Sequence, residues 1–215
     1  MEYVLIRNPE ERLEALKEAA RVIREGGIAA CPTETYYALC ARFDNEDTLK
    51  YLFEIKGREK DKPFPLIIGG REMLPLIAEE PDELSGKLLF ALMEAFWPGP
   101  LTLLLKGKKN ISPLISKDGK VAVRMPGNSF ALELVREAGI PLTATSANTT
   151  GFPPAETAED VMKYFATRIE LLIDEGRPAP GRLPSTIVDA SGGALKILRQ
   201  GAIGAGDLKR VETGI

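Results

Sequence analysis

Four cations fall within the seven residues from Lys56 to Lys62, in the run Ile55-Lys56-Gly57-Arg58-Glu59-Lys60-Asp61-Lys62-Pro63. Lysine supplies a point charge, and arginine a planar fork that matches phosphate oxygens. Lys56 and Arg58 together therefore suit a polyphosphate. Gly57 between them lets the backbone come close to a ligand. A charge run by itself is usually a solvated loop, but this one follows directly from an apolar helical pattern that anchors it. Other polar residues stand at the ends of short apolar runs. Pro32-Thr33-Glu34-Thr35 follows the run ending at Cys31, and Arg124 ends Val121-Ala122-Val123. Thr145-Ser146-Ala147-Asn148 follows Leu142, Pro184-Ser185-Thr186 precedes another run, and Arg199 closes the last. Ligands of α/β sheets sit in the loops outside strand ends, so these five clusters could converge on one pocket. Taken singly, each Ser, Thr or Asn reads equally well as a turn former. Arg124 alone could be a snorkelling side chain. Glu34 could be a base, a metal ligand, or a carboxylate satisfied by nearby amides.

The residue types that are missing narrow the chemistry. The 215 residues contain no histidine, which removes Ser-His-Asp and Cys-His catalysis and the HExxH zinc sites. No GxxxxGK[ST] and no GxGxxG occurs, so the usual phosphate and dinucleotide cradles are absent. A chemistry that positions charge is left. The net charge of −3 gives no global field to draw the chain onto nucleic acid; RNA contact would need a local basic patch. The two cysteines, Cys31 and Cys40, have neither metal spacing nor the number for a disulfide framework, and read as small apolar residues. The N-terminus lacks a signal pattern, and no apolar run approaches a membrane span. A reducing cytoplasmic setting is expected.

Strands and helices alternate along the chain. Asn8-Pro9-Glu10-Glu11 is a strong helix start, with Leu13, Leu16, Ala20 and Ile23 on one face and Gly26-Gly27 as the stop. Further helices are predicted over 46–55, 81–96, 130–138 and 157–168. Strands are predicted at 28–31, 66–68, 101–105, 121–124, 142–145, 171–173, 186–189 and 196–198. This pattern predicts an α/β domain built around one mixed, largely buried sheet. No linker or repeat divides it, so residues 1–215 read as a single domain. The glycine-containing tail from Gly201 is expected to be peripheral.

The ordered set of motifs resembles the YrdC-like family of threonylcarbamoyl-AMP synthases. It runs through Pro32-Thr33-Glu34-Thr35, Tyr37 and Leu39, then Lys56-Gly57-Arg58 with Lys62-Pro63, then Trp97-Pro98-Gly99-Pro100-Leu101-Thr102. It continues with Val121-Ala122-Val123-Arg124-Met125-Pro126, Thr145-Ser146-Ala147-Asn148, Ser185-Thr186-Ile187-Val188-Asp189 and Leu198-Arg199. The resemblance implies a twisted mixed sheet flanked by helices, with a large positively charged concave pocket. It implies an enzyme, a nucleotidyltransferase, that joins L-threonine, bicarbonate or CO2, and ATP with Mg2+ into threonylcarbamoyl-AMP and pyrophosphate. A tRNA threonylcarbamoyl transferase complex would be the partner. By the same resemblance Lys56, Arg58 and Lys62 bind the ATP phosphates, with Lys56 and Arg58 the catalytic pair, and Ser146, Asn148 and Arg199 hold the nucleotide. Thr35, Arg124, Ala144 and Ser185 would form the threonine site, with Arg124 on the carboxylate; no protein metal ligand is assigned. Longer relatives carry a further C-terminal domain, for which this chain is too short.

The chain departs from the family's Val-Tyr-Gly-Leu-Gly at Tyr36-Tyr37-Ala38-Leu39-Cys40, and has Asn128-Ser129 where a histidine often follows Met-Pro. Phe64-Pro65 precedes Leu66, and Ile67 or Ile68 replaces a polar residue. These changes fall toward the amino-acid end of the expected pocket. Two other readings remain open: a YciO-like paralogue of altered activity, and a module that binds double-stranded RNA by shape and phosphate contacts.

Overall fold

The structure, a computed structural model, describes residues 1–59, 61–179 and 183–214. Lys60 of the charge run lies outside the described residues. Strand β1 (Glu2–Leu5) leads to α1 (Pro9–Arg24), where the Asn8 side chain accepts from Glu11 N as the sequence predicts. The hairpin β2 (Ala29–Pro32) and β3 (Tyr37–Cys40) follows, then α2 (Glu46–Lys56), capped by Asn45 and ended by Gly57 in the left-handed region at φ 58°. Next come β4 (Leu66–Ile67), a 3-10 turn (Arg71–Met73), α3 (Leu74–Ile77) and α4 (Glu83–Phe96). β5 (Leu101–Lys106), β6 (Ser116–Lys117) and β7 (Lys120–Arg124) precede α5 (Phe130–Ala138). The chain then forms β8 (Leu142–Thr143), β9 (Thr145–Ser146), α6 (Ala158–Phe165) and β10 (Leu171–Asp174). It ends with β11 (Thr186–Asp189), β12 (Lys196–Arg199) and α7 (Ala205–Thr213).

The expected single sheet is two mixed sheets. One has the order β1-β10-β2-β3-β9; the other runs β12-β11-β5-β7-β4-β8, with β6 beside β7. They meet where β8 passes the end of β3: Thr143 N donates to Ala41 O at 2.8 Å, and Ala41 N to Thr143 Oγ1 at 3.0 Å. The predicted strand over 142–145 breaks at Ala144, because Ala144 N turns to Pro65 O at 3.0 Å and leaves β8 and β9 in different sheets. Apolar runs alone cannot signal such a change of partner.

Two smaller expectations also change. On α1 the buried face is Ala15, Leu16, Ala19, Ala20, Val22 and Ile23, while Leu13 is 51% exposed. Leu13 matches the helical period, but the buried face has turned away from it. The tail is not peripheral. Helix α7 packs against α4 and buries Leu208 completely, which at about 1.5–3 kcal/mol for a fully buried leucine docks the tail on the domain. Both cysteines are free and buried on the hairpin, with Sγ atoms 3.8 Å apart. No helix among the described residues is long and apolar enough to cross a membrane.

Candidate active site

The strand ends surround a cavity of about 340 Å³ at the seam of the two sheets. Thr33, Thr35, Tyr36, Tyr37 and Ala38 enter from the β2–β3 hairpin, and Ala144 and Ser146 from β8–β9. Arg58 comes from beyond α2, Thr102 from β5, and Arg124, Ser185 and Arg199 from the ends of β7, β11 and β12. All five polar clusters singled out in the sequence therefore contribute. The charged side chains lining the cavity are three arginines, Arg58, Arg124 and Arg199; no Asp or Glu among the described residues lines it.

Each arginine is held differently. Arg58 donates Nε to Lys62 O at 2.6 Å and Nη2 to Pro63 O at 3.0 Å, and lies 5.1 Å over the Phe64 ring. Of the two residues inserted relative to the resemblance, Phe64 thus helps seat this guanidinium, while Pro65 lines the cavity. Arg124 is clamped from behind by Glu34, whose Oε1 accepts from Arg124 Nη2 at 2.5 Å and from Gly127 N at 3.0 Å. Arg124 Nε and Glu34 Oε2 are buried without a hydrogen-bond partner. Arg199 spans Ser185, donating to its carbonyl at 2.8 Å and to Oγ at 3.1 Å, and that Oγ meets Thr102 Oγ1 at 2.8 Å. Burial lowers the pKa of all three arginines, and for Arg199 the charge of Arg124 lowers it further. Two guanidiniums that repel each other across a cavity would be relieved by an anionic group between them.

Thr33 shapes the turn that presents Thr35. Its hydroxyl accepts from Thr35 N at 3.0 Å and Tyr36 N at 3.2 Å, and donates to Tyr36 O at 2.7 Å. Behind the hairpin, Tyr37 Oη donates to Asp174 Oδ1 at 3.2 Å, and Tyr3 Oη donates to Oδ2 at 2.6 Å. These bonds tie β3 and β1 to β10. The Arg199 strap is seated by contact: a Cβ on Gly201 would lie 2.1 Å from Pro184 O, and Thr186 Oγ1 accepts from Gly201 N at 3.0 Å.

Of the ten candidates, Thr35, Arg58, Arg124, Ala144, Ser146, Ser185 and Arg199 line the cavity. Lys56, Lys62 and Asn148 do not. Lys62 is exposed and paired with Glu59 at 2.8 Å. Lys56 is 2% exposed and points its ammonium at the backbone of Ser146 and Asn148. Among the departures, Ala38 lines the cavity, whereas Cys40 is buried in the hairpin and Asn128 lines a separate cavity of about 470 Å³ behind Glu34. Sequence reasoning places Thr33 in a polar cluster without a role of its own, and names Thr102 only as the end of the Trp97-Pro98-Gly99-Pro100-Leu101-Thr102 motif. A threonine inside the apolar run of β5 was the available signal for Thr102.

A mixed α/β fold with an arginine-lined cavity at its strand ends is what these residues define. The profile of the Sua5/YciO/YrdC family, described as "Telomere recombination", matches residues 21–201. The chain belongs to this family. It is 38% identical to a threonylcarbamoyl-AMP synthase of Pyrococcus abyssi over 212 residues, covering 96% of this chain and 60% of that protein. The structure of P. abyssi Sua5 complexed with L-threonine superposes with a TM-score of 0.88 at 34% identity, over 98% of this chain and 61% of that one. E. coli YciO shares the fold at a TM-score of 0.79, with 23% identity over 96% of this chain and 97% of that one. The chain thus spans about three-fifths of the length of the P. abyssi proteins it matches.

Proposed function

We propose that this chain, as one YrdC-like domain, is an L-threonylcarbamoyladenylate synthase, a nucleotidyltransferase acting in the cytoplasm. The observation that carries the reading is the pair of arginines, Arg124 with its side chain 12% exposed and the more open Arg199, facing one cavity that no carboxylate among the described residues lines. The carboxylate of L-threonine fits between them. Ser185, Thr102 and Thr35 then offer hydroxyls to its amine and side chain. Arg58 and Ser146, across the cavity, face the phosphates of ATP. The relatives named as synthases and the P. abyssi Sua5 structure with L-threonine support the same assignment.

The chemistry needs placement more than proton shuttling. The threonine amine adds to CO2, forming an N–C bond and releasing a proton; from bicarbonate the same step releases water. A carbamate oxygen then attacks the α-phosphorus of ATP as the bond to the β-phosphate oxygen breaks and pyrophosphate leaves. Arginines neutralise the approaching charges, and a rigid cavity sets the line of attack. Among the described residues no group of three or more His, Cys, Asp or Glu could hold a metal. The hydroxyl-rich lining instead fits a Mg2+ carried in on the nucleotide's phosphates with its waters. The product would pass to a tRNA threonylcarbamoyl transferase complex.

The test is pyrophosphate release by the pure protein from ATP, Mg2+ and bicarbonate, with and without L-threonine. Threonine-dependent release is expected, and Arg58→Ala should lower kcat/KM about 100-fold or more, as for loss of a charge-stabilising donor. A folded sample that releases no pyrophosphate in response to threonine refutes the assignment. Running the assay with other amino acids separates it from a paralogue of altered specificity.

A further inference from the structure

Lys56 is the last residue of α2, and both its backbone and its side chain engage one segment. Its carbonyl oxygen accepts from Thr150 N at 2.9 Å. Its Nζ donates to Ser146 O at 2.5 Å, to Asn148 O at 2.7 Å and to Asn148 Oδ1 at 3.5 Å. These three acceptors occupy the three donors of an ammonium. The Asn148 carboxamide also takes the Ser146 hydroxyl at 2.5 Å and donates to Phe152 O at 2.7 Å. Residues 146–152 are thus gathered around one buried nitrogen. Lys56 is 2% exposed and lines no part of the cavity, whereas its neighbours on either side of this knot, Arg58 and Ser146, both do.

We propose that Lys56 is a positioning residue: its ammonium ties residues 146–152 to the end of α2 and so sets the spacing of Ser146 and Arg58 across the cavity, without itself touching the ligand. The proposal deepens the nucleotide reading above and rests on it for its consequence in binding. The tie itself is a property of the free protein.

The tie is sensitive to protonation. Burial, and then the charge of Arg58, bring the Lys56 pKa down to about 7. Arg58 is the charged group that acts on it, and residues 145–154 facing it include no titratable side chain. Below that pKa the ammonium offers three donors and a full charge to the carbonyls. Above it the amine keeps two donors and loses the charge-assisted part of each bond. Opening the segment would nevertheless return the nitrogen to its ordinary value of 10.5, so between the two values opening takes up a proton and the closed knot gains stability as pH rises through neutrality.

Hydrogen exchange of the Ala147 and Thr150 amides reads the tie directly, because Ala147 N donates to Tyr37 O and Thr150 N to Lys56 O. In Lys56→Met, which keeps the length but no donor, protection at both amides should fall at least tenfold. Lys56→Arg, with its charge and donors, should restore most of it. In the wild-type protein the protection factors should rise between pH 6 and pH 8.5, because opening must take up a proton there, an arm that stands even if the methionine variant does not fold. ATP and inorganic tripolyphosphate affinity should fall with protection and recover in the arginine variant. Lost tripolyphosphate affinity with unchanged protection would make Lys56 a direct phosphate ligand and overturn the proposal, as would protection in the wild type that ignores pH. If the wild type binds neither ATP nor tripolyphosphate, the nucleotide reading fails, and the exchange measurements still decide the role of Lys56.

Discussion

Removing Glu34 tests whether the site is held by charge from behind. Glu34→Ala deletes the acceptor of Arg124 Nη2 and Gly127 N. Arg124 already has Nε unpartnered, its side chain is 12% exposed, and it repels Arg199. Breaking a buried ion pair by taking one partner costs about 3–5 kcal/mol. Glu34 keeps 19% of its side-chain exposure, so the lower end, about 3 kcal/mol, is expected. The single tryptophan, Trp97, is 7% exposed and reports unfolding by fluorescence. Urea titration should show the midpoint lowered by that loss divided by the slope, with the slope itself unchanged. The double variant Glu34→Ala/Arg124→Met, which leaves no charge stranded, should recover about 2 kcal/mol of the loss. L-threonine should stabilise Glu34→Ala more than the wild type, because its carboxylate supplies the missing negative charge. A loss below about 1 kcal/mol with no coupling to Arg124 would place the pair among surface ion pairs and refute the reasoning.

Three further outcomes follow from the same geometry. Gly201→Ala forces a Cβ against Pro184 O; threonine-dependent activity should fall at least about tenfold, as expected when site geometry shifts by ~1 Å, while far-UV circular dichroism stays unchanged. Lys56 has a folded pKa of about 7 against 10.5 for the free side chain, so between those values the unfolded chain binds the extra proton and folding stability rises with pH. At about 1.4 kcal/mol per pKa unit the wild type should gain a few kcal/mol from pH 7 to 10, and Lys56→Met should lose that slope in urea titrations at a series of pH values. Leu208→Ala should cost about 2–5 kcal/mol in thermal or urea unfolding, because the leucine that docks α7 is fully buried.

Local signals carried much of this architecture. Asn8, Asn45, Ser129 and Thr157 each cap the helix that the sequence places after them, and Gly57 and Gly139 end helices in the left-handed region. Caps and stops depend on a few adjacent residues, so they can be read without the rest of the chain. The division into two sheets could not. β8 and β9 are two residues each, separated by Ala144, and the choice between Pro65 and the hairpin as partner is made across long stretches of chain. The exposure of Leu13 and the docking of α7 are likewise settled by which surfaces happen to meet.

The residues that could do chemistry were visible from their types and from their place at strand ends, and seven of the ten candidates line the cavity. That much belongs to the sequence, because a polar residue closing an apolar run must lie at a strand end; the pairing then sets the starts of the parallel strands β5 and β11 beside the ends of their antiparallel neighbours β7 and β12. Which group each residue faces was decided by tertiary structure. Lys56 and Arg58 stand two residues apart, yet one is buried against carbonyls and the other opens onto the cavity. Gly57 turns the chain between them, and the partner that captures Lys56 lies 90 residues further along. A charge run states that cations are present; burial and the position of distant carbonyls determine which of them is left for a ligand.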